Sequence, residues 1–303
     1  MKSIECFKIR LYKTNIPSNY ENGRVIKEIL CSPFFKIFNV KTIEADPFLF
    51  VKNDTLYLFY EDKPIRENAW ISMVSTKDLK HWSKPITVLK ETCHLSYPWV
   101  FEQGGHIYMI PETCGLKSIR LYEANEDLTS FTYVRTILKD DNEYTNGFSF
   151  SDTSIYFKNG FYYLFTTINE GTCNILKIYM SKEFDRDYVE HPMSPICTNN
   201  KYGRNAGSLI EYSKKLYRVA QDCENRYGDN VNLLEVLELN PVKYKECVVK
   251  DDIIPVDTPF YKEGGHQFNM VRFKDGYIIA TDAKEYHRYV GSRVFHKLGL
   301  VKW

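Results

Sequence analysis

The chain has no run of roughly eighteen consecutive apolar residues, so no stretch is built to cross a membrane as a helix. Its opening residues, MKSIECFKIRLYKTN, carry charges through every short apolar run. An export signal is therefore not expected, and a cytoplasmic location is. Excess charge of either sign is also missing: 40 basic and 39 acidic side chains leave a formal charge of +1 over 303 residues. Without a basic field, nucleic acid is not an expected partner. The eight cysteines stand singly at Cys6, Cys31, Cys93, Cys114, Cys173, Cys197, Cys223 and Cys247, with no CxxC pair. That scatter reads as reduced, mostly buried thiols rather than disulfides or zinc ligands. GxSxG, P-loop, GxGxxG and HExxH motifs are absent, and the seven histidines never fall at metal-ligand spacing on one element. Neither a catalytic metal nor an organic cofactor is expected, and a structural cation in a central channel is left open.

Aromatic residues, by contrast, are plentiful, at 15% with Tyr and Phe far above Trp, a bias that suits strands. They fall into a repeat. DPFLFVKNDTLYLFYE (46 to 61) is followed by YPWVFEQGGHIYMIPE (97 to 112), DTSIYFKNGFYYLFTT (152 to 167) and AGSLIEYSKKLYRVAQ (206 to 221). Each has a two-residue turn at the same offset, Asn53-Asp54, Gly104-Gly105, Asn159-Gly160 and Ser213-Lys214, and a Tyr at a fixed place, Tyr57, Tyr108, Tyr163 and Tyr217. These are hairpin signatures. A fifth copy runs from 264 to 283, its register ambiguous by two residues between a turn at Asp275-Gly276 and an anchor on Tyr277.

Further strand-like runs come after each hairpin, and no long segment keeps a helical period. The expected fold is all-β, a five-bladed β-propeller of four-stranded antiparallel blades around a central channel, because a closed ring leaves no open sheet edges. A two-sheet sandwich is the alternative, but it does not account for the constant hairpin length. The whole of 1–303 reads as one domain: 1–45 supplies a closing or outer strand, and blades start near 46, 97, 152, 206 and 266.

On this reading Asp46, Tyr97, Asp152 and Ala206 ring one mouth of the channel, paired across their hairpins with Glu61, Glu112, Thr167 and Gln221. His266 or Phe268 takes the fifth place, and His266 faces the pocket by either register. Like-charged Asp46 and Glu61 opposed in a sheet repel, which a site can use and packing cannot. Facing carboxylates suit glycosidic chemistry, one removing a proton and another donating one. A wet, polar channel mouth without activity is the plainer alternative.

ADPFLF, STKDLKHW and the blade pattern resemble the five-bladed propellers of the glycoside hydrolase family 43 and invertase-like group. That resemblance implies Asp46 as general base and Asp152 as the residue that tunes its acidity. The acid expected to open the fourth blade is replaced by Ala206 in GRNAGSLI. A longer ordered string, EADPFLF, CHLSYPWVFEQGGHIYMIPET, IRLYEA, YRVAQDCENRYGDNVNLLEVLELNP and GGHQFN, is similar to the N-terminal propeller region of glucosamine inositolphosphorylceramide transferases and its bacterial relatives. It implies a carbohydrate or nucleotide-sugar substrate and, as a partner, a separate glycosyltransferase. The matching motifs add His94, Arg204 and Arg226 to the expected binding residues, since forked guanidinium groups hold carboxylates and phosphates. Three readings stand side by side: a glycan-modifying or glycosyl-transferring enzyme of surface polysaccharide or glycolipid assembly, with Asp46 as base assisted by Glu112 or Asp152; a hydrolase with a displaced acid, Glu61 or Glu112; and a non-catalytic glycan-binding or transferase-docking module.

Overall fold

Alternating side chains about tight turns build five hairpins in the computed structural model, which describes residues 3–31, 41–64, 67–139 and 150–288. The first hairpin is Lys41–Lys52 with Thr55–Pro64, the second Ser96–Gln103 with His106–Glu112, and the third Ser151–Lys158 with Phe161–Glu170. The fourth is shorter on its first side, Ile210–Tyr212 with Lys215–Asp222, and the fifth is Phe268–Phe273 with Gly276–Arg288. In the first four, both turn residues have positive φ. Glycine takes it without strain in the second hairpin, whereas Asn53 and Asp54 lie at 48° and 56°, and Ser213 and Lys214 at 51° and 64°. Such turns match the right-handed twist of the strands they join.

Two more strands extend each hairpin outward. Trp70–Thr76 and Ile86–Leu89 complete the first unit, Ser118–Ala124 and Phe131–Lys139 the second, and Asn230–Asn240 and Lys243–Lys250 the fourth. The third adds Cys173–Ser181, with two-residue strands beside it. The fifth unit takes its outer strands from the other end of the chain. Ser3–Thr14 pairs along its full length with Gly276–Arg288, from Ser3↔Arg288 to Thr14↔Tyr277, and Arg24–Ile29 lies outside it. Hydrogen bonding groups these strands into four sheets of eight, four, five and five strands. The eight-stranded sheet merges the fifth and first units through one parallel bridge, Phe7↔Ile43.

Five apolar clusters fill the spaces between successive units. Phe59 and Met73 pack with Val100 and Met109; Trp99 and Leu121 with Ile155 and Leu164; Phe165 and Leu176 with Leu216 and Val236. Val219 and Val231 then pack with Tyr12 and Ile279, and Ile9 and Ile278 with Leu49 and Leu58. The contacts run from first unit to second and onward until the fifth meets the first. The repeated tyrosines belong to these clusters, Tyr163 fully buried and Tyr57, Tyr108 and Tyr217 packed at their margins.

The fifth hairpin corrects the sequence reading. Phe273 pairs with Gly276, so the turn is Lys274-Asp275, midway between the two registers left open: one residue before Asp275-Gly276 and one after the turn that an anchor on Tyr277 implies. Gly276 is not a turn residue. A Cβ there would meet Asn15 Oδ1 at 3.0 Å and Thr14 O at 3.1 Å, so the glycine admits the end of the Ser3–Thr14 strand. Ile278, fully buried, takes the place that Tyr holds in the other four hairpins.

Phe59 is wholly buried where the first and second units meet. Phe59→Ala is expected to cost about 3–5 kcal/mol of stability, read as a lower denaturant midpoint with an unchanged slope; a loss below about 1 kcal/mol would show that this contact between units carries little of the fold.

Candidate functional site

Three residues that open hairpins share a strained backbone. Asp46, Tyr97 and Asp152 have φ of 50°, 46° and 52°, a left-handed conformation uncommon for residues other than glycine. Each sits in a bulge. Pairing runs regularly from the turns as far as Phe48↔Phe59, Trp99↔Ile110 and Ser154↔Phe165, then resumes one residue out of step at Ala45↔Glu61, Ser96↔Glu112 and Ser151↔Thr167. One extra residue in the first strand accounts for the slip and re-aims the side chains beyond it. The expected oppositions of Asp46 with Glu61, Tyr97 with Glu112 and Asp152 with Thr167 are therefore corrected by one position. In the fourth hairpin Arg204, not Ala206, pairs with Gln221; Ala206 is buried in an apolar cluster.

The bulges turn backbone N–H groups toward carboxylates of the preceding unit. Asp46 N donates to Asp282 Oδ2 at 3.2 Å, Tyr97 N to Asp46 Oδ2 at 3.0 Å, and Asp152 N to Glu112 Oε2 at 3.1 Å. Asp282 Oδ1 also accepts from the N–H groups of His266 and Gln267 at 2.8 and 3.0 Å. Two of these carboxylates, Asp46 and Glu112, border a cavity of about 160 Å³, whose charged lining is Asp46, Glu61, His94, Glu112, Asp152, Arg204 and His266, with Phe7, Ile43, Ser96 and Tyr227 between them; Asp282 stands behind His266. That is below the ~300–1,000 Å³ of pockets for drug-sized ligands and suits a single ring.

Two cations hold the carboxylates together. Arg204 Nε donates to Asp152 Oδ2 at 2.5 Å, its Nη2 lies 3.8 Å from Glu112 Oε2, and its guanidinium stands 5.3 Å from the centre of the Tyr227 ring. His266 Nδ1 lies 2.6 Å from Asp282 Oδ2, Nε2 lies 3.6 Å from Asp46 Oδ1, and the imidazole stacks on Phe7 at 4.6 Å. At the rim, His94 Nε2 pairs with Glu61 Oε1 at 3.1 Å. Buried Lys284 donates to the Tyr227 carbonyl and fixes the loop that brings this ring over the cavity.

Burial pushes the Asp46 carboxyl up to about 7; His266 and the Tyr97 N–H pull it down, and Glu61 and Asp282 push it further up. Burial alone would lower His266, but the carboxylates of Asp282 and Asp46 raise it to about 9. Asp152 is raised above the ordinary carboxylate range by burial, against the opposing pull of Arg204. Burial also works against a charged His94, yet Glu61 outweighs it and raises this imidazole. Asp46, His266 and Asp282 offer ligand atoms within 4.8 Å of one another and could hold a small cation. A metal needs the neutral imidazole, so it would compete with the His266 proton.

Of the residues singled out from the sequence, Asp46, Glu61, His94, Glu112, Asp152, Arg204 and His266 line this one cavity. Tyr97 contributes its N–H, while its hydroxyl donates to Gly207 O at 2.7 Å, away from the lining. Gln221 stands behind the wall, its amide donating to Asp152 Oδ2 at 3.1 Å. Arg226 lies outside, half exposed and paired with Asp229 and Glu263. Sequence reasoning misses Asp282 and Phe7, and of the Arg226-Tyr227-Gly228 run that it sets near the mouth, Tyr227 rather than Arg226 reaches the cavity. Asp282 stands seven residues after the Lys274-Asp275 turn, the place that Glu61, Glu112, Thr167 and Gln221 hold after theirs. The correct turn would find it, whereas parity places His266 from the wrong one.

Residues 28–280 match the family described as glucosamine inositolphosphorylceramide transferase 1, N-terminal. Among curated proteins, the glucosamine inositolphosphorylceramide transferase 1 of Arabidopsis thaliana is 31% identical over 252 residues, 80% of this chain, and that of Oryza sativa subsp. japonica 31% over 239 residues, 76% of it. The chain spans about a third of their length, 31% and 30%. Among solved structures, a family 117 glycoside hydrolase of Zobellia galactanivorans superposes with a TM-score of 0.56 at 11% identity, covering 84% of this chain and 92% of that one. A family 43 arabinoxylan arabinofuranohydrolase from Bacillus subtilis gives 0.55 at 12% identity, over 82% and 63%. At such identities the likeness is one of fold, that of the glycoside hydrolase propellers.

The charge arrangement sets a pH dependence. His266 is more basic folded, at about 9, than its ordinary 6.5, so its stabilising contribution is complete below about pH 6.5 and is lost as pH rises through about 9. Asp46, raised from 3.8 to about 7, acts in the same direction at lower pH. In chelator-containing buffer the thermal midpoint is expected to fall between pH 6.5 and about 9, and to fall less in Asp282→Asn. Equal profiles for the two proteins would mean that Asp282 does not hold a proton on His266.

Proposed function

The chain belongs to the family of the glucosamine inositolphosphorylceramide transferase 1 N-terminal region, and from that membership and the cavity we propose that it is a five-bladed β-propeller enzyme that modifies or transfers sugars in surface-polysaccharide or glycolipid assembly. The cyclic order of the five apolar clusters supports the blade count. The single observation that carries the chemistry is Asp46: buried, poised near 7, and facing a cavity with three other carboxylates. A base with that affinity for a proton is matched to removing one from a hydroxyl near neutral pH.

In the step proposed, Asp46 takes the proton of an acceptor hydroxyl as its oxygen bonds to the anomeric carbon. The bond to the leaving group breaks with its electron pair going to that group. Arg204 is paired with Asp152, and Ala206, the residue that the resemblance sets in place of the hydrolase acid, is buried in an apolar cluster. A donor whose leaving group departs as a stable anion, such as a nucleoside diphosphate, needs no such acid. This favours transfer from an activated sugar. The cavity's room for one ring and its polar lining suit a sugar, with Glu61 and Glu112 as acceptors for its hydroxyls. Hydrolysis with Glu61 or Glu112 as a displaced acid is the second reading, favoured by their place on the same wall.

Wild type and Asp46→Asn are to be compared against nucleotide sugars with alcohol acceptors and against free oligosaccharides. Asn keeps an acceptor for the Tyr97 N–H, so the variant is expected to bind as wild type while turning over about 10²–10⁴-fold more slowly. The wild-type rate should rise with pH through about 7. Consumption of oligosaccharide without a nucleotide sugar would replace transfer by hydrolysis. Binding without turnover of any donor would leave a sugar-binding module and remove Asp46 from a catalytic role.

A further inference from the structure

Away from the cavity, the two ends of the described chain bring sulfur, nitrogen and oxygen donors together. Cys6 lies directly opposite Glu285 in the pairing of Ser3–Thr14 with Gly276–Arg288, and Ile4 opposite His287. Alternation along a strand places Cys6, Lys8, Glu285 and His287 on one face, opposite that of Phe7, which lines the cavity. Cys31, just beyond the outer strand Arg24–Ile29, closes over them. Sulfur atoms of Cys6 and Cys31 and a ring nitrogen of His287 lie within 4.8 Å of one another. Cys31 Sγ stands 3.8 Å from His287 Nε2, and Glu285 Oε1 lies 2.7 Å from each of those two atoms. Both cysteines are buried.

We propose that Cys6, Cys31 and His287, with Glu285 as fourth donor, form a structural zinc site that clips the Cys31 segment to the paired first and last strands. Two thiolates, an imidazole and a carboxylate are the donors that zinc takes in four-coordinate sites. With Zn–S near 2.3 Å and Zn–N near 2.0–2.1 Å, a tetrahedron has sulfur-to-nitrogen edges of about 3.6 Å, close to the 3.8 Å between Cys31 and His287. Glu285 Oε1 has to withdraw by under about 1 Å to reach such an edge. The second oxygen of Glu285 is held by Lys8 Nζ at 2.7 Å, which orients the carboxylate and offsets the single negative charge that Zn²⁺ with these four ligands would carry. The spacing of Cys6, Cys31 and His287 in the chain gives no hint of this, since three separate segments supply the donors. Cys6 and Cys31 are free and buried, as expected of the cysteines, and on this proposal they serve in addition as ligands.

The full chain, expressed with zinc and freed of loosely bound ions, is expected to carry one zinc per chain by elemental analysis. Replacing zinc with Co²⁺ should give the thiolate-to-cobalt charge-transfer band and tetrahedral visible bands. Cys6→Ser and Cys31→Ser should lose that band, and Cys247→Ser, at an exposed thiol elsewhere, should keep it. Should the first two variants fail to fold, the wild type decides: zinc must shield Cys6 and Cys31 from alkylation relative to chelated protein and leave Cys247 as reactive as before. Cobalt bound without a thiolate band, as at the Asp46, His266 and Asp282 cluster, would overturn the proposal. So would a chain free of zinc, or one with Cys6 and Cys31 joined as a disulfide under reducing conditions.

Discussion

A backbone N–H in a left-handed bulge, caught by a carboxylate of the neighbouring unit, is the contact on which the centre of this molecule depends. It recurs from Asp282 to Asp46, from Asp46 to Tyr97 and from Glu112 to Asp152. Each link satisfies a donor that the bulge has withdrawn from its ladder, and a buried unsatisfied donor would be destabilising by about 1–3 kcal/mol. Each also fixes the direction of an acid at or just behind the cavity wall. The strain at φ near +50° is thus held by the same bonds that orient the acidic groups. Asp46 belongs to two links, as acceptor through its carboxylate and as donor through its own N–H.

Concentrating carboxylates in this way requires counter-charge, and Arg204 and His266 divide the task. Arg204 serves Asp152 and Glu112, and His266 serves Asp282 and Asp46. The division is unequal in strength. Arg204 touches Asp152 at 2.5 Å, whereas His266 lies close to Asp282 but 3.6 Å from Asp46. Asp46 is accordingly the less fully paired of the two hairpin-opening acids, although burial raises both.

Much of this is legible in the sequence. Four turns and the alternation beside them locate four hairpins correctly, because each turn is a local choice of residues that accept positive φ. Asp46, Asp152, Glu61 and Glu112 stand out as an acidic group out of place in a packing repeat. The bulges are not legible: apolar alternation continues on both sides of an inserted residue, so counting from the turn gives no sign of the slip at Asp46. The fifth hairpin misleads because Asp275-Gly276 reads as a turn, while Gly276 answers a close approach by Thr14, some 260 residues away in the chain. Arg226 fails for a different reason. A guanidinium in a polar loop finds the nearest acids, here Asp229 and Glu263, and sequence alone does not say which side of the loop they occupy.

The pairing of Ser3–Thr14 with Gly276–Arg288 also bears on how the chain comes to be folded. During synthesis the first strand emerges from the ribosome long before its partner, about 260 residues later. At about 5–20 residues per second, it waits on the order of ten to fifty seconds with one edge unpaired. The later hairpins are local and can form as they appear. The pairing of Ser3–Thr14 is left to Gly276–Arg288, so a ribosome stalled before residue 276 would hold four formed hairpins beside a strand with one edge still open.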